Sequence, residues 1–540
     1  MGVLPQIKIK PVKRSNRNLS FKNRFTMMPG AVYPVAFYRV FPGEHFEFSI
    51  SNLIKSLATK APIMGSMQLR FDVFFCADRL YNPRLRSNEL TTFDDLYDFS
   101  YPLMSFPDNS IHPQGADIDI IKPEDVTRVM NENSLWNFLG FPKDWFCGFG
   151  TPAGTDLGSI TLNGTKLLNY LDIYRNYFVN PQESSFHWMS EGKVASTSVE
   201  SLNTFFVKDL PDLVESGEAF NAPGVSRLSA YFNSPWNNPG DLLLLSCYRP
   251  DYLSNWISST NYNKLATVAR VNTDSGSFTI DQLRLGNKLQ KMAERIIISG
   301  NRYGEAIRAL FGVNTDLHLD IPEYLGSSTT QVTFDDVVSQ SNGTGDFNQN
   351  LGDVGGRAAE FGRSRKFYVN PSEFGNIVIT CRLIPIPDYH QGLSKDMTRL
   401  AFSDEYNPSL ARLGWQALYD YELAFGPIKR ETVSDGTYMR QPWPGSAVAY
   451  QPAWLDYLTR VNELHGDFAG DLSYWTLGRS FIRLDSQGRF NVTGSAYIHP
   501  NDFQYPFVDT TQGARNFMVQ VGVDCFAKRV IPKSLMPNLG

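Results

Sequence analysis

The stretch S66-M-Q-L-R-F-D-V-F-F-C76 alternates strictly: Met67, Leu69, Phe71, Val73 and Phe75 fall on one face, Gln68, Arg70 and Asp72 on the other. Successive side chains of an extended chain point to opposite sides, so a period of two marks a half-buried strand. The same period returns near the far end, in N516-F-M-V-Q-V-G-V-D-C-F-A527, where Phe517, Val519, Val521, Val523 and Cys525 share a face. F46-E-F-S-I50 alternates over a shorter span, and N376-I-V-I-T-C-R-L383 has the denser apolar run of a more buried strand. Strands so far apart can share a sheet only by long-range pairing, which suits a jelly roll better than a meander of hairpins.

The chain between these strands must then consist of long insertions. T165-K-L-L-N-Y-L-D-I-Y-R-N-Y-F-V179 sets Leu167, Leu171, Tyr174 and Phe178 on one stripe at helical spacing. I280-D-Q-L-R-L-G-N-K-L-Q-K-M-A-E-R-I296 predicts a second helix, and P452-A-W-L-D-Y-L-T-R-V-N-E-L-H-G466, opening on Pro and closing on Gly, a third. Apolar stripes of this kind are core-packing faces. Residues 326–366 are rich in Gly, Ser, Thr, Asn and Asp, and predict a long surface loop.

Composition narrows the class. Of the 540 residues, 42% are hydrophobic and 13% aromatic, enough to bury a sizeable core and to favour pleated strands. The five cysteines (Cys76, Cys147, Cys247, Cys381, Cys525) are dispersed with no C-x-x-C pair, which argues against a disulfide framework or a zinc cluster. The beginning of the sequence has no apolar signal core, and the densest apolar run, L242-L-L-L245, is far shorter than the roughly 18 residues a membrane span needs. The expectation is a chain made without export or membrane insertion.

Sites for chemistry are scarce. G148-F-G-T-P-A153 matches G-x-G-x-x-A formally, but K143-D-W-F-C147 upstream is no apolar strand, and a loop is the better reading. The seven histidines (His45, His112, His187, His318, His390, His465, His499) are isolated in sequence, so no metal site is predicted. The pairs D94-D95 and D335-D336 could supply glycosidase carboxylates, yet neighbours on a strand point apart and solvated turns explain them better. No catalytic residue and no cofactor is predicted.

Charge is distributed unevenly. Q6-I-K-I-K-P-V-K-R-S-N-R-N-L-S-F-K-N-R-F25 carries Lys8, Lys10, Lys13, Arg14, Arg17, Lys22 and Arg24 and no acid. Adding Arg39, eight basic residues precede the first acid, Glu44, and the remaining 42 basic and 55 acidic residues balance at −13. A basic leader on an acidic body suits a polyanion, and Phe21 and Phe25 among the cations suit base stacking along a single strand. The alternative is a solubilising tail. Lys528, Arg529 and Lys533 form a second basic cluster, read as a solvated face.

Several motifs then resemble one family. F41-P-G-E-H-F-E-F-S49, A61-P-I-M64 and V73-F-F-C-A-D-R-L80 come early; N301-R-Y-G-E-A-I-R-A-L-F-G-V313 and I321-P-E-Y-L-G326 lie mid-chain. D388-Y-H-Q-G392, Y450-Q-P-A-W-L-D-Y457, G466-D-F468, Trp475 and K533-S-L-M-P-N-L-G540 follow. In this order they resemble the major capsid proteins of gokushovirus-like microviruses. The sequence departs at C76-A-D, where V-P-N is commoner, and over 182–275, which matches poorly.

The resemblance implies a mainly β chain: an eight-stranded antiparallel jelly-roll sandwich with long inserted loops and several helices. It implies a homo-oligomeric T=1-type icosahedral shell around circular single-stranded DNA, in a virion assembled in the host cytoplasm. Minor virion, DNA-pilot or scaffold proteins and a host surface receptor are the further partners it suggests. The expected organisation is an interior-facing basic arm over 1–30 and one jelly-roll domain over 31–540. That domain has insertions at about 80–370 and 385–510, including a variable surface insertion at about 182–275 and the Gly/Ser-rich loop 326–366. Trp145, Trp188, Trp236 and Trp256 are candidates for either subunit interfaces or core. The rival reading is a jelly-roll glycan-binding protein or glycosidase.

Overall fold

Each of the four alternating stretches forms a strand in the computed structural model. Ten strands make up two antiparallel sheets: β1 (Ser15–Asn18), β2 (Phe21–Met27), β3 (Val32–Val40), β4 (His45–Ser56), β5 (Met67–Ala77), β6 (Glu323–Val332), β7 (Ala359–Arg363), β8 (Phe367–Val369), β9 (Gly375–Pro385) and β10 (Phe517–Arg529). The structure describes residues 14–81, 103–106, 133, 135–141, 160–179, 188–191, 205–208, 247–248, 251–254, 256–258, 321–338, 354–410, 414–425, 446–484, 490–492, 498, 500–511 and 514–531.

In the first sheet β10 lies between β4 and the β1–β2 segment, and β4 in turn pairs with β7 and β8. The second sheet runs β6–β5–β9–β3. Apolar alternation aims the two sheets at each other. Met67, Leu69, Phe71 and Val73 of β5 and Ile377, Ile379, Cys381 and Leu383 of β9 are all fully buried. So are Phe46, Phe48, Ile50 and Ile54 of β4 and Phe517, Val521, Val523 and Cys525 of β10, and all join one apolar cluster. At ~25 cal/mol per Å2 of apolar surface removed from water, this interleaved layer is the main stabilising term.

The second sheet is covered on its outer side too. Helix α1 (Leu135–Leu139) packs near β3, and α2 (Thr165–Ile173) continues into a π-turn at Tyr174–Phe178, as the helical stripe predicts. The Phe74 ring lies 4.9 Å from Tyr177 and 5.9 Å from Phe178, and Tyr170 donates its hydroxyl to the Val32 carbonyl at 2.8 Å. Asp72, buried beneath this roof, is neutralised by Arg70 at 2.9 Å and Arg382 at 3.2 Å. A smaller cluster, including Leu253, Trp256, Leu418 and Phe481, organises the insertion after β9. Trp256 is buried there and donates Nε1 to the Leu253 carbonyl at 2.7 Å, so it is a core residue of this chain. Trp145, Trp236 and the Trp188 side chain lie outside the described residues.

Some expectations change. Residues 326–332 are no loop: the polar run S327-S-T-T-Q331 lies within β6, whose register runs Glu323↔Phe75 to Val332↔Met67. The edge position explains this, because Ser and Thr tolerate a strand whose one face meets water. Residues 339–353 of that segment lie outside the described residues, and β7 and β8 bring its end back into the sandwich, so the first insertion stops before β6. The predicted helix over 452–466 shrinks to Leu455–Leu458, since Asn462–Glu463 extends to pair in parallel with Asp388–Tyr389. The predicted helix at 280–296 and G148–A153 lie outside the described residues, as does most of 182–275. No described helix is long and apolar enough to cross a membrane.

Candidate nucleic-acid interface

The leader is partly sheet. From residue 15 it runs as β1 and β2 along β10, with Ser15↔Arg529 and Met27↔Phe517 at the ends of the register. Phe25 and Met27 explain this: Met27 is fully buried, and Phe25 stacks on Tyr33 at 5.7 Å and meets Phe138 edge-on at 5.7 Å. The arm expected over 1–30 therefore gives way to sandwich by residue 15.

That placement divides the cations. Lys8, Lys10 and Lys13 lie outside the described residues. Arg14 is exposed, with Nη1 3.2 Å from Nε2 of His45. Arg17 stands opposite Ala527, a core-facing position, and is half-buried. Lys22 and Arg24 take the opposite parity, facing away from the core, opposite Gly522 and Gln520. Arg24 donates Nε to the Gln520 side chain at 2.7 Å. The structure thus brings Lys22 and Arg24 onto one face, about 7 Å apart along the strand, and does not bring Arg17 to them.

Sequence reasoning placed Lys528 and Arg529 together, and the sheet separates them. Lys528 is exposed on the face of Lys22, whereas Arg529 turns inward to Glu44 at 2.9 Å. Lys533 lies outside the described residues. Alternation along β10 was the available signal: Cys525 and Ala527 are core positions, so Lys528 must point out.

Candidates for other chemistry stay apart. Asp335 and Asp336 are exposed on the strand Asp335–Val338, and Asp94 and Asp95 lie outside the described residues. Among the described residues no three His, Cys, Asp or Glu side chains group as a metal site. Cys76, Cys247, Cys381 and Cys525 are buried free thiols, while Cys147 lies outside the described residues.

The model of the capsid protein (F protein) family matches residues 241–493. Capsid protein VP1 of Chlamydia phage 1 is 26% identical over 385 residues, 66% of this chain and 58% of that protein. Capsid protein VP1 of Bdellovibrio phage phiMH2K is 23% identical over 486 residues, 87% of this chain and 85% of its own length. This chain is similar to phage capsid proteins. Both VP1 proteins are from gokushoviruses, in the Microviridae. The aligned part of the Chlamydia phage relative falls short of two-thirds of its length. The capsid family match begins after β5 and ends before β10, so it covers β6–β9 and most of the insertion that follows. Lys22, Arg24 and Lys528 lie outside it.

Proposed function

We propose that this chain is a structural major capsid protein of a gokushovirus-like microvirus, closing with identical copies into a T=1-type icosahedral shell around circular single-stranded DNA. The observation that carries it is the strand order of this chain, taken with its similarity to two capsid proteins. β2–β10–β4–β7/β8 faces β3–β9–β5–β6, and successive strands cross between the sheets at every step except β5 to β6. With β7 and β8 counted as one interrupted strand, and β1 as an extension of the edge, this order supports the reading as an eight-stranded jelly roll.

The organisation fits a shell subunit. The sandwich supplies the wall, and the insertions supply contacts with neighbours. Met397, Leu400, Phe402 and Leu458, all between 70% and 88% exposed, make the insertion after β9 one such contact surface. The basic residues Lys8, Lys10, Lys13, Arg14, Lys22 and Arg24 meet the packaged DNA. Minor virion, DNA-pilot or scaffold proteins assist in the host cytoplasm, and outer loops, 182–275 among them, meet a host receptor. The role is structural, and no residue is assigned a catalytic task.

Electron microscopy of the purified protein tests this. Closed particles of uniform size are expected; a chain that stays monomeric across pH, salt and divalent-ion conditions overturns the reading.

A further inference from the structure

The two sheets differ on their outer sides. The second is roofed by α2 and its π-turn, whereas among the described residues no element packs over the first. Directly opposed residues of an antiparallel sheet share a face, so the bare side can be read in rows. One row is Lys22, Gly522, Ser51 and Arg363; the next is Arg24, Gln520, Leu53 and Phe361. A third is Thr26, Met518, Lys55 and Ala359. Toward the other end stand Phe526, Glu47 and Tyr368, then Lys528 and His45.

Two features mark this face. Phe361, Tyr368 and Phe526 are 69%, 68% and 59% exposed, although each could have packed inward. Around them stand Lys22, Arg24, Lys55, Arg363, Lys366 and Lys528 against only Glu47 and Asp524, on a chain whose net charge is −5. Glu47 pairs with Lys366 and Asp524 with Arg363, in exposed contacts that water weakens. Lys22, Arg24, Lys55 and Lys528 have no acidic partner among the described residues.

We propose that this bare sheet face is itself a binding surface for single-stranded nucleic acid, its cations holding phosphates and Phe526, Phe361 and Tyr368 stacking bases. It deepens the capsid reading and rests on it for the identity of the genome. A flat sheet offering separated rings among cations suits splayed bases, because every base has a face to stack. A second protein copy fits less well: interface cores are depleted of Lys, and here Lys supplies four of the six cations. Binding at such a surface is insensitive to sequence, since phosphates position and do not specify.

The test titrates a fluorescein-labelled oligothymidylate with the full chain, following anisotropy across salt concentrations. Replacing Lys22, Arg24, Lys55 and Lys528 together by Gln removes four phosphate contacts and flattens the log–log salt slope by about 3. The milder pair Lys22→Gln with Lys528→Gln flattens it by about 1.4 and serves if the fourfold variant fails to fold. Phe361→Leu with Phe526→Leu keeps the slope and weakens binding roughly tenfold or more. Deleting residues 1–13 removes Lys8, Lys10 and Lys13 and leaves these losses to be measured separately. Unchanged slopes in both Gln variants overturn the proposal, as do Phe variants that bind like wild type or that block particle formation while sparing binding. Particles from wild type alongside those outcomes sink the sheet face alone; no particles from wild type sinks the capsid reading.

Discussion

The carboxylate of Glu44 and the guanidinium of Arg529 meet at 2.9 Å across 485 positions of sequence. Glu44 is fully buried and also accepts from the backbone amides of Phe41 at 3.0 Å and Val530 at 3.2 Å. Arg529 lies 5.3 Å from the Phe41 ring centre and 5.8 Å from that of Phe46. The turn P42-G43-E44, where Gly43 takes φ +76, is thereby clamped to the end of β10.

Removing one member of this pair strands the other. Arg529→Ala should cost about 3–5 kcal/mol, because the carboxylate stays buried without compensation. Glu44→Leu combined with Arg529→Met should cost far less. Denaturant unfolding of unassembled subunits measures both, and a double variant as weak as the single one contradicts this account.

Phenylalanine discriminates wall from surface. Phe71 is fully buried and Phe361 is 69% exposed. Phe71→Ala should lose about 3–5 kcal/mol, and Phe361→Ala no more than ~0.5 kcal/mol. A Phe361→Ala loss as large as about 3–5 kcal/mol in the same unfolding assay would mean the faces of the first sheet are misassigned.

Acidification should loosen the insertion after β9 through His390. Burial pushes its pKa below the ordinary value of 6.5, and Nδ1 has no hydrogen-bond partner among the described residues. Between the lowered value and 6.5 the unfolded chain binds more protons, so stability falls as pH drops through that window. Asp388, whose carboxyl burial pushes up, acts in the opposite sense and loses stability as pH rises. The variant therefore isolates the histidine: His390→Gln should lessen the fall in Tm between pH 7 and pH 5. An identical fall in both proteins removes His390 as the cause.

Thiol reagents should find little to react with. Burial first, then Asp172, pushes the Cys76 thiol well up; burial and Asp72 do the same to Cys381. Cys525 is pushed up to about 11 by burial. Since the thiolate is the nucleophile, peptide mass spectrometry after labelling at pH 8 should find these three unmodified in folded protein and fully modified in denaturant.

A local clamp holds the exposed apolar patch. Arg399 pairs with Asp456 and, at 2.7 Å, with Asp396, and lies 4.3 Å from the Tyr457 ring centre. Arg399→Ala should speed hydrogen exchange over 395–410 and 447–458 while β5 and β10 keep their protection. Uniform acceleration everywhere would mean the insertion and the sandwich open as one unit.

Strand identity was legible wherever one face is wholly apolar. β5, β9 and β10 announced themselves, because a period of two survives any partner. β2 carries the same pattern in Phe21, Asn23, Phe25 and Met27, but its outward Lys22 and Arg24 disguised it as part of a charged tail. β6 was hidden for the converse reason: its Ser and Thr residues satisfy an edge strand and a loop alike. The proposed binding face could be read only in fragments. Lys22, Lys55, Phe361 and Lys528 share a face through pairings separated by hundreds of residues, and no local pattern encodes that register.

β10 sits at the centre of the first sheet, flanked on both sides, and is the last strand of the described sandwich. During synthesis, β2 and β4 must wait until residues 517–529 have left the ribosome before the strand that joins them exists. Chains interrupted before residue 517 lack the strand that links β2 to β4, so the first sheet cannot close until β10 has been made.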